Sequence, residues 1–284
     1  MSRHCSKIPG MATGAGVAQA PYERLVMQAL ILAAGMGSRL GVGMPKCLVK
    51  VGGRPILHHQ LDAIERAGAD RVTLVAGYEH QQVEDAAEGR AEVVLNGRYA
   101  ETNSLYSFWL ARRAVEGDLL VLNSDVLFAP ELLGDLLAVD GSAIAFDSAS
   151  GGEDEHMKVR ARRGRLLRMG KDLPAMYSHG ESLGVAHLSA FAARAAFSAA
   201  GSLVGRGREN DWAASAFNEV ARHHWVSCVD VVGQPWVEID FPEDLDLARE
   251  HTWPAIEALG RERLSGDRRW STSVGPDDLR EAAT

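Results

Sequence analysis

The segment at residues 28–46, QALILAAGMGSRLGVGMPK, constrains the fold more than any other part of the chain. Its apolar run ends at Leu32 and stops abruptly at small residues, which is typical of a strand covered on both faces of a parallel sheet. The small residues at 33–35, followed by Gly37, would let the backbone pass close to a ligand, because larger side chains would block that approach. The segment therefore predicts a buried strand that leads into a glycine-rich loop.

Two cations accompany this loop, Arg39 and Lys46, the second fixed behind Pro45. Successive loop N–H groups can bind phosphate oxygens, and arginine adds a planar, permanently charged donor. Together these groups suit a triphosphate, although a tight structural turn is the alternative that the residues alone leave open. The Rossmann fingerprint is incomplete because Leu40 stands where its third small residue would be, and the Gly-Lys-Ser/Thr of a P-loop is absent.

The whole string resembles the signature of the nucleotidyltransferases that activate sugar phosphates and related phosphoryl compounds. Their pattern is L-A-A-G-x-G-x-R-L, a short spacer and P-K, and this chain has LAAGMGSRL, GVGM and PK. The resemblance implies that the loop backbone and Arg39 hold the phosphates of the NTP. It also implies that Lys46 contacts the acceptor phosphate or the reacting α-phosphate. The residues expected to bind nucleotide are Leu32, Ala33, Ala34, Gly35, Gly37, Ser38, Gly77, Asn103 and Ser104.

Composition excludes several classes of protein. The chain has 284 residues and a formal net charge of −8, so we expect neither a nucleic-acid partner nor a membrane partner. Its three cysteines lack metal-ligand spacing, and Cys47 is interpreted as a packed thiol although it lies beside Lys46. No apolar run approaches the roughly 18 residues of a membrane span. We expect a cytoplasmic protein, and a homodimer is compatible with the sequence.

Strand and helix patterns alternate in the first half of the chain, which predicts a parallel sheet with helices on both faces. From about residue 140 shorter strands follow, with a hairpin turn at Arg163-Gly164. The expected fold is α/β: a Rossmann-like, mostly parallel sheet with flanking helices and a small antiparallel acceptor-binding subdomain. The resemblance makes this a GT-A-like nucleotidyltransferase fold. The expected organisation is a flexible N-terminal extension at 1–26, a domain at 27–255 with its acceptor-binding part at about 140–235, and a flexible tail at 261–284.

A metal site is expected from two carboxylates. Asp125 follows the buried run LLVLN, where it suits Mg²⁺ or, alternatively, caps a turn. Asp240 and Glu238 lie on one face of a short strand in PWVEIDFPEDLD. The resemblance assigns Mg²⁺ to Asp125 and Asp240, leaving Glu238 as an alternative ligand.

The segment YAETNSLYSFWL at 99–110 resembles the N-x-x-S-L/I-Y-S type of segment in bacterial choline-phosphate cytidylyltransferases, whose relatives act on 2-aminoethylphosphonate and inositol 1-phosphate. Asn103 and Ser104 offer partners for a base or ribose. An amine-bearing acceptor would need aromatic and acidic groups, although core packing is the ordinary role of each aromatic residue. The expected acceptor-binding residues are Lys158, Tyr177, Glu181 and Trp236, with Lys171, Asp211 and Trp212 as further candidates.

These patterns predict a Mg²⁺-dependent transfer of CMP from CTP to phosphocholine, 2-aminoethylphosphonate or inositol 1-phosphate, with release of pyrophosphate. The acceptor already carries an oxyanion, so no general base is required and the catalytic residues are Arg39 and Lys46. One alternative is a sugar-1-phosphate nucleotidyltransferase that uses UTP, dTTP, GTP or ATP. Another is a regulatory relative that binds nucleotide without turnover.

Overall fold

The computed structural model of the protein describes residues 26–150 and 152–264. The expected extension at 1–26 and tail at 261–284 lie outside the described residues, except for Val26 and residues 261–264. The last four belong to a helix that begins at Trp253.

Thirteen strands and eight α-helices are described in this part of the chain. The strands are β1 (Met27–Ala33), β2 (Lys50–Val51), β3 (Arg54–Pro55), β4 (Arg71–Ala76), β5 (Glu92–Leu95), β6 (Asp118–Asn123), β7 (Val126–Phe128), β8 (Ser142–Asp147), β9 (Lys158–Arg162), β10 (Arg165–Gly170), β11 (Glu181–Leu188), β12 (Val226–Asp230) and β13 (Trp236–Glu238). The helices are α1 (Ile56–Arg66), α2 (His80–Ala87), α3 (Ser104–Leu110), α4 (Glu131–Leu137), α5 (Ala190–Val204), α6 (Ala214–His223), α7 (Pro242–Leu247) and α8 (Trp253–Leu264). A π-helical segment, Ala248–Thr252, joins the last two helices.

Nine strands form one mixed sheet in the order β5-β4-β1-β6-β11-β8-β12-β10-β9. The four strands from β5 to β6 are parallel, as predicted. Beyond them, β11 runs antiparallel to both β6 and β8, and β10 runs antiparallel to β9 and β12. The α/β prediction is confirmed, but the sheet is mixed rather than mostly parallel. The antiparallel strands continue the same sheet instead of forming a separate unit.

Strand β1 is buried on both faces, which confirms the expectation from its apolar run. Leu30 and Leu32 belong to a core that includes α3, α5 and α6. Ala29 and Ile31 point to the other core, which includes α1 and α4. Because β1 lies between two packed layers, its carboxyl end holds the glycine-rich loop at a rigid edge of the sheet.

A third cluster of buried apolar residues packs against the glycine-rich loop, and this cluster was not expected from the sequence. Leu40 and Val49 pack there with Leu127 of β7, Val237 of β13 and Ile256 of α8. Strands β7 and β13 form a two-stranded antiparallel ribbon in which Glu238 pairs with Val126. Strand β13 confirms the short strand expected around Glu238. Strand β7, the β2–β3 pair and α4 are elements that sequence patterns missed, because each is short.

Candidate active site

A cleft of about 500 Å³ opens at the carboxyl ends of β1 and β6. It lies between the glycine-rich loop, the start of α3, the middle of β11 and the end of the β7–β13 ribbon. Most of the residues expected to bind nucleotide or metal line it. Those residues are Leu32, Ala34, Gly35, Gly37, Ser38, Arg39, Lys46, Asn103, Ser104, Asp125 and Asp240.

Glycine is required in the loop for two separate reasons. Gly37, Gly41 and Gly43 all have positive φ, at 61°, 69° and 66°, which L side chains rarely adopt. A Cβ on Gly37 would also lie 2.6 Å from Cγ of Lys46, whereas a Cβ on Gly43 would meet nothing within 4 Å. Gly37 therefore both turns the loop and leaves room for the stem of Lys46.

The resemblance implies that Lys46 is a catalytic residue. On that expectation, the Gly37→Ala variant should lower kcat/KM for nucleotidyl transfer by about 10²-fold, since displacing a positioned catalytic group by about 1 Å has an effect of that size. The matched control is Gly43→Ala, which places the same methyl group at nearly the same φ without a clash near Lys46. Pyrophosphate release measured for both variants checks this prediction. Equal losses in the two variants would show that loop strain, rather than the contact with Lys46, causes the effect.

The β7–β13 ribbon explains how two distant carboxylates meet. Asp125 immediately precedes β7, and Asp240 follows β13 after Ile239. The N–H of Ile239 donates a hydrogen bond of 2.9 Å to the backbone oxygen of Asp125, which extends the ladder by one step. The two aspartate side chains therefore lie side by side at the edge of the cleft.

Lys46 joins these carboxylates. Its Nζ lies 3.1 Å from Oδ2 of Asp125 and also donates to Oδ1 of Asp240. Burial lowers the pKa of the Lys46 ammonium, but the negative charges of Asp125 and Asp240 outweigh burial and raise the pKa above its usual range. Lys46 is therefore a firmly charged group at neutral pH.

Glu238 completes the cluster of acidic groups. Ligand oxygens of Asp125, Glu238 and Asp240 lie within 4.8 Å of one another. Burial and repulsion by the two aspartates raise the pKa of Glu238 well above its usual range. Carboxylate oxygens are the ligands that Mg²⁺ prefers, and the cluster already binds one cation, the Lys46 ammonium. The three carboxyl groups therefore fit a divalent metal ion, and Glu238 lies close enough to the two expected ligands to be a third.

A second ion-pair network, missed in the sequence, spans the mouth of the cleft. NH1 of Arg39 lies 2.9 Å from Oε2 of Glu155 and 3.5 Å from Oδ2 of Asp240. Nζ of Lys171, another residue of the cleft, lies 3.4 Å from the same oxygen of Glu155. Hydrogen bonding to Arg39 and the charge of Lys171 lower the pKa of Glu155. Glu155 is in a polar stretch with no local pattern, so only its contacts identify it.

Four of the residues expected to bind nucleotide have structural partners. The Asn103 side chain caps α3 by accepting from the N–H of Ser104 at 2.7 Å. The Ser104 hydroxyl accepts from the N–H of Ala213 at 2.9 Å. Gly77 does not line the cleft, but a Cβ there would lie 2.7 Å from the backbone oxygen of Ala34, so it supports the loop from behind. Ala33 is buried in the core on the opposite face of β1.

The structure places the four expected acceptor-binding residues away from the cleft lining. Nζ of Lys158 is buried and donates to the backbone oxygens of Lys171 and Asp154 at 2.8 and 3.3 Å. Glu181 is buried and accepts from the Ser150 hydroxyl. Trp236 donates to Asp147 at 2.9 Å, and Tyr177 packs under Arg160.

Of the further candidates, Trp212 and Lys171 line the cleft, with Nζ of Lys171 5.6 Å from the centre of the Trp212 ring. Cys47 is buried, and burial raises the pKa of its thiol to about 12, which agrees with a packed cysteine. Among the described residues no helix combines the length and the apolar character that crossing a membrane requires.

Comparison with known proteins finds relatives in sequence. CMP-5'-(3-aminopropyl)phosphonate synthase of Streptomyces rubellomurinus is 38% identical over 132 residues, which cover 43% of this chain and 21% of that protein. The bifunctional IPC transferase and DIPP synthase of Aquifex aeolicus is 27% identical over 264 residues, covering 89% of this chain and 58% of that protein. The chain thus spans at most about three fifths of the length of these two relatives.

The solved structure of the inositol-1-phosphate CTP transferase from T. maritima shares the fold. Its TM-score is 0.67 at 22% sequence identity, with 82% of this chain and 96% of that chain covered. The family model described as the MobA-like NTP transferase domain matches residues 29–271, which includes the glycine-rich loop and all three clustered carboxylates. The chain therefore belongs to the family of MobA-like NTP transferase domains.

Proposed function

We propose that this chain is a Mg²⁺-dependent cytidylyltransferase that transfers CMP from CTP to a small phosphorylated or phosphonate acceptor and releases pyrophosphate. The observation that carries the proposal is the convergence of Lys46, Asp125 and Asp240 at the glycine-rich loop. A regulatory protein that only binds nucleotide would not require this set of charges.

The proposed mechanism uses no nucleophilic side chain. An oxyanion of the acceptor attacks the α-phosphorus of CTP, a new P–O bond forms, and the bond to pyrophosphate breaks. The loop amides and Arg39 bind the triphosphate, while Lys46 neutralises charge that develops at the α-phosphoryl group. Asp125 and Asp240, with Glu238 beside them, would hold Mg²⁺. When bound, Mg²⁺ supplies charge neutralisation for the triphosphate and the pyrophosphate leaving group.

CTP is the proposed nucleotide on two grounds. The segment that contains Asn103 resembles that of cytidylyltransferases, and relatives named for CMP or CTP match the chain in sequence or in fold. Beside Asn103 and Ser104, the cleft is lined by Asn96, Thr102 and Ser107, and the Asn96 amide donates to both hydroxyls. We infer that these polar groups also contact the base or ribose.

The acceptor is proposed to bind at the Lys171 and Trp212 side of the cleft. Lys171 is a cation suited to a phosphate or phosphonate, and Trp212 beside it is 42% exposed. The flat face of a tryptophan can bind an amine cation. An amino-phosphonate therefore suits this pair of groups, and the name of the Streptomyces relative supports the same choice. A cytoplasmic location and a homodimer stay predictions.

Pyrophosphate release from each NTP with a panel of acceptors tests the proposal. The panel consists of 3-aminopropylphosphonate, 2-aminoethylphosphonate, phosphocholine, inositol 1-phosphate and glucose 1-phosphate, each with Mg²⁺. Turnover with CTP and an acceptor from the first four is the expected result. Turnover with glucose 1-phosphate and UTP, dTTP, GTP or ATP would instead identify a sugar-1-phosphate enzyme. Failure of every pair would refute the catalytic proposal.

A further inference from the structure

The ammonium group of Lys46 is bound by the same carboxylates that are proposed to hold the metal ion. It lies 3.1 Å from Asp125 and also contacts Asp240, while only 15% of the side chain is exposed. Glu238 adds a third carboxyl group within 4.8 Å of these two. A divalent ion approaching the cluster would therefore meet a resident cation that already bonds two of its three ligands.

The path of the Lys46 stem strengthens this observation. Its Cγ packs against Gly37, where even a methyl group would lie 2.6 Å away. The residue that carries the stem is enclosed as well, since Pro45 and Cys47 on either side are both buried. The stem thus leaves the glycine-rich loop in a defined direction and brings Nζ to the carboxylates. A lysine free in solvent would not be held in this way.

We propose that Lys46 is a placeholder cation, which occupies the metal position in the ligand-free protein and leaves it when nucleotide binds. This inference rests on the proposed function. In the exchange, the ion pairs of Lys46 with Asp125 and Asp240 break, and both carboxylates become available to the metal. Nζ then pairs with a phosphate of the nucleotide instead. A lysine suits this movement because its four-carbon stem is flexible and its charge is compact.

The exchange makes metal binding depend on nucleotide. Without phosphates, a divalent ion must displace an ammonium that is paired with two of its three ligands, so the affinity for the metal is low. With phosphates present, the ammonium can pair with a phosphate, and the metal ion no longer has to displace it from the carboxylates. The glycine-rich loop and the metal ligands are then coupled through one side chain, since binding at one position favours binding at the other.

Mn²⁺ binding measured by electron paramagnetic resonance in the absence of nucleotide tests the proposal directly. The Lys46→Met variant keeps the length and packing of the stem but removes the charge. We expect it to bind Mn²⁺ at least about tenfold more tightly than the unchanged protein, a difference of about 1.4 kcal/mol. Lys171→Met is the matched control, because it removes the same charge from the same cleft but from a lysine paired with Glu155. We expect less than a threefold change, or about 0.6 kcal/mol, for that control.

Each outcome bears on one of the two proposals. Unchanged or weaker Mn²⁺ binding by Lys46→Met refutes the placeholder role while leaving the metal site standing. Equal gains in Lys46→Met and Lys171→Met also refute it, because they would indicate a general charge effect. If the unchanged protein and both variants bind no Mn²⁺, the metal site proposed for the enzyme is itself wrong.

A second measurement tests the exchange on the unchanged protein, so that the result does not depend on whether a variant folds. Nitrogen-15 NMR of lysine ammonium groups detects Lys46 if its protons are held in hydrogen bonds. Addition of a non-hydrolysable CTP analogue with Mg²⁺ is expected to shift that signal by more than the signals of the other lysines. No shift of the Lys46 signal on nucleotide and metal addition would overturn the exchange.

Discussion

The Asp125→Asn variant is expected to reduce kcat/KM for nucleotidyl transfer by about 10³-fold, or about 4 kcal/mol of transition-state stabilisation. Asparagine keeps the shape of the side chain but removes a negative charge from the proposed metal position. The fold should be retained, because the ribbon uses the backbone oxygen of Asp125, which bonds Ile239, and not its carboxylate. Steady-state pyrophosphate release across a Mg²⁺ titration measures the effect, and circular dichroism reports the fold.

A carboxylate with similar burial and pairing provides the control. Asp62 is half-buried and pairs with Arg54 and Arg90 at 2.8 Å each, well away from the cleft. Asp62→Asn should leave turnover within about twofold and cost at most about 1 kcal/mol of stability, as is usual for ion pairs near the surface. Near-normal Mg²⁺-dependent turnover by Asp125→Asn would show that the metal is held elsewhere.

The first half of the site was predictable because its signals are local. The run through Leu32, the glycines after it and the following Pro45-Lys46 pair are consecutive in sequence, so their order alone indicates a strand, a loop and a cation. The hairpin at Arg163-Gly164 is local in the same way, and its positive φ angles of 53° and 72° confirm the expected turn.

The other half depends on contacts between distant segments. Asp240 becomes a neighbour of Asp125 through a ribbon of two three-residue strands, β7 and β13. The β13 strand was expected, but its pairing with β7 joins segments more than 100 residues apart, and no local pattern indicates it. The extent of the sheet depends on distant contacts in the same way. Strand β11 pairs with β6 on one side and with β8 on the other, which joins the parallel strands and the later strands into one sheet.

The burial of Lys158 was not expected from the sequence. A lysine in a hairpin is ordinarily solvated, yet Lys158 is 2% exposed and its charge is satisfied by two backbone oxygens. Every residue has a backbone oxygen, so the sequence does not show which of them will accept hydrogen bonds from a lysine. The burial of Lys158 could therefore not be inferred from sequence. By contrast, Lys171 lies at the end of β10, where the chain enters the cleft, and its position depends on the strand register.

The second large effect is expected at Lys46, where metal affinity and turnover should change in opposite directions. Lys46→Met should lower kcat/KM by about 10²- to 10³-fold, because a preorganised donor to the reacting phosphoryl group is lost. The same variant is expected to bind Mn²⁺ more tightly, as argued above. Most substitutions that remove an active-site charge would instead weaken turnover, metal affinity or both.

The opposition between these two effects distinguishes the proposed roles of Lys46. If Lys46 acted only as a partner of Asp125 and Asp240, Mg²⁺ would replace its positive charge between these carboxylates. Turnover of Lys46→Met at saturating Mg²⁺ would then recover. If it acts on the phosphates, turnover stays low however much metal is supplied. Lys50→Met is the control, since that exposed lysine lies four residues along the same segment and should leave both readings unchanged. Rates of Lys46→Met that rise to near those of the unchanged protein with increasing Mg²⁺ would remove Lys46 from the catalytic step.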